Sequence, residues 1–217
     1  MDREAVAAIV VYVDDLVIST KGSTEMDELP VDLAEDNKLM DLVEAKYHLG
    51  CHITRDRERR ELTFHHHLYA FSMAERFGVT KTSMLPATAG SKALTKNDES
   101  TMPEERAEIR AFPCREAVEA FMWAATMARP DITHADRTAA KFCQNSGVPH
   151  KKAVLKILQY VLKTTDISIT YSQQDCEVEI VAYADSDFAL CDDSRRSGSG
   201  GLVLMEALSA DTPEPRT

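Results

Sequence analysis

Ala8-Ile9-Val10-Val11-Tyr12-Val13-Asp14-Asp15-Leu16-Val17-Ile18 is two short apolar runs flanking a pair of adjacent carboxylates. Runs this short and this rich in Val and Ile predict buried strands, and the polar break between them predicts a tight hairpin. Asp-Asp is not a favoured turn dipeptide, since two-residue turns prefer Asn-Gly or Asp-Gly. Two negative charges beside a buried strand pair cost free energy unless something positive neutralises them. A divalent cation does so: hard carboxylate oxygens suit Mg2+, which takes one or two protein carboxylates together with substrate phosphates. Asp14 and Asp15 are therefore candidate metal ligands, and a solvated acidic hairpin is the alternative.

Downstream of the hairpin, Ser19 to Pro30 is polar and carries Gly22 and Pro30, which predicts a loop. Residues 31–46 place Val31, Ala34, Leu39, Leu42 and Val43 at roughly helical spacing and predict an amphipathic helix. A second hairpin is expected from Tyr47 to Ile53, the charged turn at Arg55 to Arg60, and the return at Leu62-Thr63-Phe64. His65-His66-His67 tempts one towards a metal. Read as part of a strand, successive side chains point to opposite faces, so the three cannot readily converge, and no Asp, Glu or Cys is spaced to complete a set. Leu68 to Phe77 predicts a helix that Gly78 closes.

From Pro86 to Ala111 there is little apolar periodicity, and Pro, Gly, Ser and Thr recur, as in a linker. Three helices are then expected. The first follows Pro113 with Ala117, Val118, Phe121, Met122 and Ala125 on one face. Asp131 is positioned to cap the second, which carries Ile132, Ala135, Ala139, Phe142 and Cys143. The third sets Val154, Ile157, Leu158, Val161 and Leu162 in the cleanest stripe of the chain. Its other face holds Lys151, Lys152, Lys156 and Lys163, either along a phosphate backbone or as a solvated face. From Ile167 the period falls to two. Ile167, Ile169 and Tyr171 alternate with polar residues, and Val178 to Ala184 predicts a strand running into Asp185-Ser186-Asp187. After a charged turn, Gly201 to Met205 predicts another strand, and residues 208–217 a frayed tail.

Composition narrows the class. At 217 residues with 44% hydrophobic and 28% charged content, the chain has the make-up of a globular protein with a sizeable core. Its five cysteines are scattered with no Cys-x-x-Cys, which argues against a zinc site and for reduced thiols in an intracellular setting, cytoplasm or nucleus. No run approaches the ~20 apolar residues of a membrane span. A net charge of −11 is awkward for a nucleic-acid binder, but it is unevenly spread: both ends are acidic and the middle is basic.

Taken in order, these landmarks resemble the polymerase polyprotein of copia-type long-terminal-repeat retrotransposons. Its markers run from Val11-Tyr12-Val13-Asp14-Asp15-Leu16 through His48-Leu49-Gly50-Cys51-His52-Ile53 and Glu75-Arg76-Phe77-Gly78. They continue with Pro113-Cys114-Arg115-Glu116-Ala117, Arg129-Pro130-Asp131-Ile132 and Lys152 to Tyr160. Ala182-Tyr183-Ala184-Asp185-Ser186-Asp187 and Ser194-Arg195-Arg196-Ser197-Gly198 close the series. The resemblance implies an α+β fold: a partial reverse-transcriptase palm and thumb, a helical connection, and the first strands of a ribonuclease H-like domain. It divides the chain into palm and start of thumb (1–85), linker (86–112), helical thumb or connection (113–165) and the N-terminal part of the ribonuclease H-like domain (166–217).

The same resemblance implies metal-dependent nucleotide addition to a primer on an RNA or DNA template. Asp14 and Asp15 would hold Mg2+ or Mn2+ for polymerisation, Asp185 would hold one for RNA cleavage, and Lys151, Lys152 and Lys156 would track the template-primer duplex. In the family a third polymerase carboxylate lies upstream of the Tyr-Val-Asp-Asp strand, and further ribonuclease H carboxylates follow the second strand of that domain. With both metal sites half-built, the expectation is a fragment inactive alone. The alternatives are a non-enzymatic nucleic-acid-binding or interaction remnant, and a degenerate frame that does not fold stably. Cys114, Glu119 and Lys151 depart from residue types usual in the family, and Asp136 sets an acid near an expected apolar face.

Overall fold

The Val- and Ile-rich runs do pair. Strands β1 (Ala7–Tyr12) and β2 (Asp15–Thr20) form an antiparallel hairpin in which Ile9 faces Ile18 and Val11 faces Leu16. A computed structural model describes residues 7–36, 39–79, 94–100, 102–173, 178–189, 191 and 193–207. The chain divides into two compact units, Met1–His48 and Leu49–Thr217. Among the described residues, no helix is long and apolar enough to cross a membrane.

In the first unit the strands expected to be buried are not. All of β1 is exposed, with Val11 at 65%, whereas β2 is mostly half-buried. Helix α1 (Ser23–Asp36) packs on β2, and one helix shields at most one face of a ribbon that is apolar on both. This helix begins where a loop was expected and has Pro30 inside it, while residues 39–46 are not helical. Gly22 marks the end of the strand rather than a long loop: the Thr20 hydroxyl donates to the Gly22 carbonyl at 2.7 Å, and Ser23 opens the helix directly after it. Pro30 forfeits one main-chain hydrogen bond without ending the helix. A two-residue strand, β3 (Tyr47–His48), closes the unit.

The second unit opens with the predicted hairpin of β4 (Cys51–Asp56) and β5 (Glu61–His65), in register Ile53 to Phe64. The period-two stretch after residue 166 does not start a separate sheet. It forms the strand Ser168–Ser172, which pairs antiparallel with β5 so that Ile169 meets Phe64 and Tyr171 meets Leu62. The histidine run is not one strand either: His65 ends β5, His66 stands between elements, and His67 opens helix α2 (His67–Arg76). Gly78 follows that helix at φ +66°, the left-handed conformation that favours glycine.

Four further helices follow. Helix α3 (Pro103–Ala111) lies inside the expected linker, with Pro103 and two acids in its first turn and Arg110 in its last, a favourable charge order. Its recognisable apolar pattern is small because Ile109 carries its burial. Helix α4 (Cys114–Met127) buries Ala117, Val118, Phe121 and Ala124, but Met122, expected inside, is 57% exposed; the buried stripe runs through the small residues Ala120 and Ala124 instead. Helix α5 (Thr133–Ala140) buries Ala135 and Ala139, with Ile132 before it and Phe142 after it. Helix α6 (Val148–Lys163) buries all five residues of its predicted stripe. With α2, these helices enclose Phe121, Ile132, Ile157 and Leu158, each at most 1% exposed. Burying each such side chain is worth about 1.5–3 kcal/mol.

With Ser168–Ser172 as β6, the last elements are β7 (Val178–Asp187) and β8 (Gly198–Ala207), an antiparallel hairpin in which Asp185 faces Gly200 and Asp187 faces Gly198. Mixed helices and antiparallel sheets make this an α+β chain. The expected frayed tail at 208–217, and residues 86–93 of the expected linker, lie outside the described residues, as do residues 80–85 before it.

Candidate functional site

At the tip of the first hairpin, Tyr12 pairs with Asp15, so the two-residue loop is Val13-Asp14 rather than Asp14-Asp15. Val13 sits at φ +54° and is 87% exposed. A β-branched side chain in the left-handed region is strained. Positive φ at the first loop position alone is the pattern of a type II′ turn, in which glycine is normal. Strain of this kind concentrates where a chain presents functional groups. Here it presents two: Asp14 on the loop and Asp15 opening β2, both exposed. His48 stands at the edge of ion-pair range, its Nδ1 4.0 Å from Asp15 Oδ2.

The donor chemistry of this tip fits Mg2+. Two hard carboxylates in water leave room for the solvent and substrate oxygens that complete its octahedron. Among the described residues, no third His, Cys, Asp or Glu joins them in a metal-binding group. Asp185 belongs to the second unit. It lies on β7 two residues from Asp187, so the two occupy one face of the strand, both exposed, each opposite a glycine.

The predicted lysines do not stay together. Lys152 and Lys156 are exposed one turn apart on α6, and Lys163 continues their stripe. Lys151 is half-buried, with its Nζ 5.7 Å from the centre of the Phe112 ring, a cation–π arrangement.

Over 198 residues, 91% of this chain, the sequence is 32% identical to the retrovirus-related Pol polyprotein from transposon TNT 1-94 of Nicotiana tabacum, of which it spans 15%. An uncharacterized mitochondrial protein of Arabidopsis thaliana is 39% identical over 80 residues, 37% of this chain and 71% of that protein. These similarities support a piece derived from a retrotransposon polyprotein. A second uncharacterized mitochondrial protein of Arabidopsis thaliana aligns over 91% of this chain and 78% of its own length at 23% identity. No family model and no solved structure matches.

One of the sequence markers turns out to be architectural. In Arg129-Pro130-Asp131, the Arg129 guanidinium is buried to 1% exposure and grips Asp131 through Nε to Oδ1 at 2.9 Å and Nη2 to Oδ2 at 2.8 Å. It also donates to the Thr164 carbonyl at 3.0 Å and hydroxyl at 2.6 Å, and lies 5.5 Å from the Tyr160 ring centre. Asp131 therefore holds the guanidinium that clamps the end of α6, and the N-cap position of α5 falls to Ile132 rather than to Asp131. Burial pushes its carboxyl pKa up, but the hydrogen bonds and charge of Arg129 outweigh that and hold it below the usual value. The signal in sequence was an Arg and an Asp two residues apart around a proline, which fixes a tight turn but does not reveal Thr164.

Beside the clasp, His66 is 3% exposed with neither ring nitrogen hydrogen-bonded among the described residues. Burial, then the Arg129 charge, lowers its pKa to about 4. Asp136 is 5% exposed with Oδ1 unpartnered, and burial raises its pKa to about 6.

Proposed function

We propose that the chain is the palm-to-ribonuclease-H piece of a copia-type RNA-directed DNA polymerase, whose reaction adds nucleotides to a primer on an RNA or DNA template. The supporting observation is the pair of exposed carboxylates, Asp14 and Asp15, at a hairpin tip held by the strained Val13. Mg2+ or Mn2+ bound there would neutralise phosphate charge and activate the attacking oxygen. The chain's own part is to present both carboxylates from a fixed turn and, through Lys152 and Lys156, to lie along the duplex backbone. Asp185 is the matching ligand for ribonuclease H chemistry. On this reading the chain alone does not catalyse, since among the described residues no third ligand joins the pair.

Primer extension tests both parts. In the parent polyprotein, Asp14→Asn and Asp15→Asn should each abolish metal-dependent incorporation; retained extension would sink the assignment. With the isolated chain, incorporation lost in Asp15→Asn would overturn the statement that it is inactive alone.

The exposed Lys152, Lys156 and Lys163 stripe favours a second reading, a nucleic-acid-binding remnant. It predicts duplex affinity that falls steeply with salt and drops further in Lys152→Glu/Lys156→Glu, whereas Lys151→Glu has the smaller effect. Fluorescence anisotropy across a salt series decides this; absent or salt-independent binding removes the reading.

A further inference from the structure

His52, His65 and His67 come together from three elements. His52 on β4 lies directly opposite His65 on β5, so their side chains leave the same face of the sheet. The chain then spends one residue, the buried His66, turning into α2, and His67 arrives beside the other two. Ring centres are 5.5 Å apart for His52 and His67, 6.1 Å for His65 and His67, and 6.4 Å for His52 and His65. All three rings are half-buried. Alternation along a single strand forbids convergence of consecutive residues, and it does separate His66 from the others. The strand-to-helix switch returns His67 to the cluster and a neighbouring strand supplies the third imidazole.

We propose that His52, His65 and His67 form a binding site for a divalent transition-metal ion of the Zn2+ class, with water in the fourth position. Imidazole nitrogens suit Zn2+, Ni2+ and Cu2+ and not Mg2+, so this site is chemically separate from the carboxylate tip. With Zn–N bonds of about 2.0–2.1 Å and tetrahedral angles, three coordinated rings would have centres about 5.2 Å apart. The observed spacings exceed that by no more than about 1.2 Å. As they stand, no three or more His, Cys, Asp or Glu side chains among the described residues could hold a metal ion, so binding here would require the three imidazoles to turn about their side-chain torsions. The site stands whether or not the chain serves nucleotide addition.

Calorimetric titration of the full, chelator-stripped chain with ZnCl2, paired with imidazole proton NMR, tests it. One Zn2+ per chain is expected, with His52→Ala, His65→Ala and His67→Ala each weakening binding at least about tenfold. His134→Ala, at an exposed position on α5, should leave binding unchanged. His67→Cys keeps a ligand at the same place and should retain binding, which separates lost ligation from lost folding. No saturable binding, binding indifferent to the three alanine variants, equal loss in His134→Ala, or loss in His67→Cys as complete as in His67→Ala would each overturn the site.

Discussion

The hairpin tip and the Arg129 clasp both place charged groups at a turn, and they use them in opposite ways. At the tip, two carboxylates stand in water on a ribbon whose first strand is exposed throughout, and the local backbone is strained. At the clasp, a guanidinium at 1% exposure spends its donors on Asp131 and Thr164. A charge satisfied inside the fold has little left to offer a ligand. One left exposed at a strained turn adds little to stability and keeps its bonding capacity for something else. The two markers therefore differ in kind: Val13-Asp14-Asp15 leaves its charges open to a ligand, and Arg129-Pro130-Asp131 spends them on the fold.

The largest effect that would sharpen this contrast is at Arg129. Arg129→Ala leaves the Asp131 carboxylate and the Thr164 carbonyl without their partner and should destabilise the chain by roughly 3–5 kcal/mol, the usual cost of breaking a buried pair. Urea unfolding measures it; a loss below 1 kcal/mol would make the clasp as dispensable as a surface pair.

Next comes pH. His66 has a lowered pKa, so it contributes stability above its usual value of 6.5 that is lost as pH falls towards about 4. Asp136 has a raised pKa, so its contribution is present below its usual 3.8 and lost as pH rises through about 6. The two slopes oppose each other over the same window, so their joint contribution should change little from pH 4 to 6.5. Asp136→Asn removes one slope and should expose a rise of about 3 kcal/mol across that window. A flat Asp136→Asn profile would show that one of these groups is not neutral in the fold.

Gly147 gives a smaller effect. A Cβ there would overlap the Asp98 carbonyl oxygen. The Gly147 N–H also donates to His150 Nδ1 at 2.8 Å, while His150 Nε2 meets the Thr95 carbonyl at 3.2 Å. Gly147→Ala must push these segments apart, at roughly 1–3 kcal/mol by the measure of overpacked cores. Thermal unfolding reads it, and an unchanged midpoint would mean the Lys96–Asp98 turn is free to move.

How far these features were legible depends on the range of the contact. Periodicity exposed α6 and both early hairpins because each is decided by neighbours within a few residues. It missed α3, which buries Ile109 and little else, and it mis-set α1, where Gly22 and Pro30 looked like the ends of a loop. The pairing of β6 with β5 was illegible because nothing in Ser168–Ser172 names a partner so far back in the chain. At the site, the acidic pair was visible as adjacent letters, but Val13's backbone was not. Nor was the departure of Lys151 from the lysine stripe, which depends on Phe112. The three-histidine cluster needed His52, which no local pattern connects to His65-His66-His67.

The smallest effects belong to the tip, and they decide whether its strain has a purpose. Asp15→Asn removes a charge that is solvated and at the edge of reach of His48, so stability should change by less than about 0.5 kcal/mol. Val13→Gly is more telling. A left-handed conformation costs an ordinary residue about 1–2 kcal/mol, glycine gives back about 0.5–1 through its freer unfolded chain, and the 87% exposed valine loses almost no packing. The balance is a gain of up to about 1 kcal/mol, visible as slower amide exchange along β1 and β2. Slower exchange together with lost nucleotide addition in the parent polyprotein would mean that the valine holds Asp14 and Asp15 in a geometry the relaxed turn does not keep. Faster exchange would mean that Val13 is not strained and that the tip, like the clasp, is simply well folded.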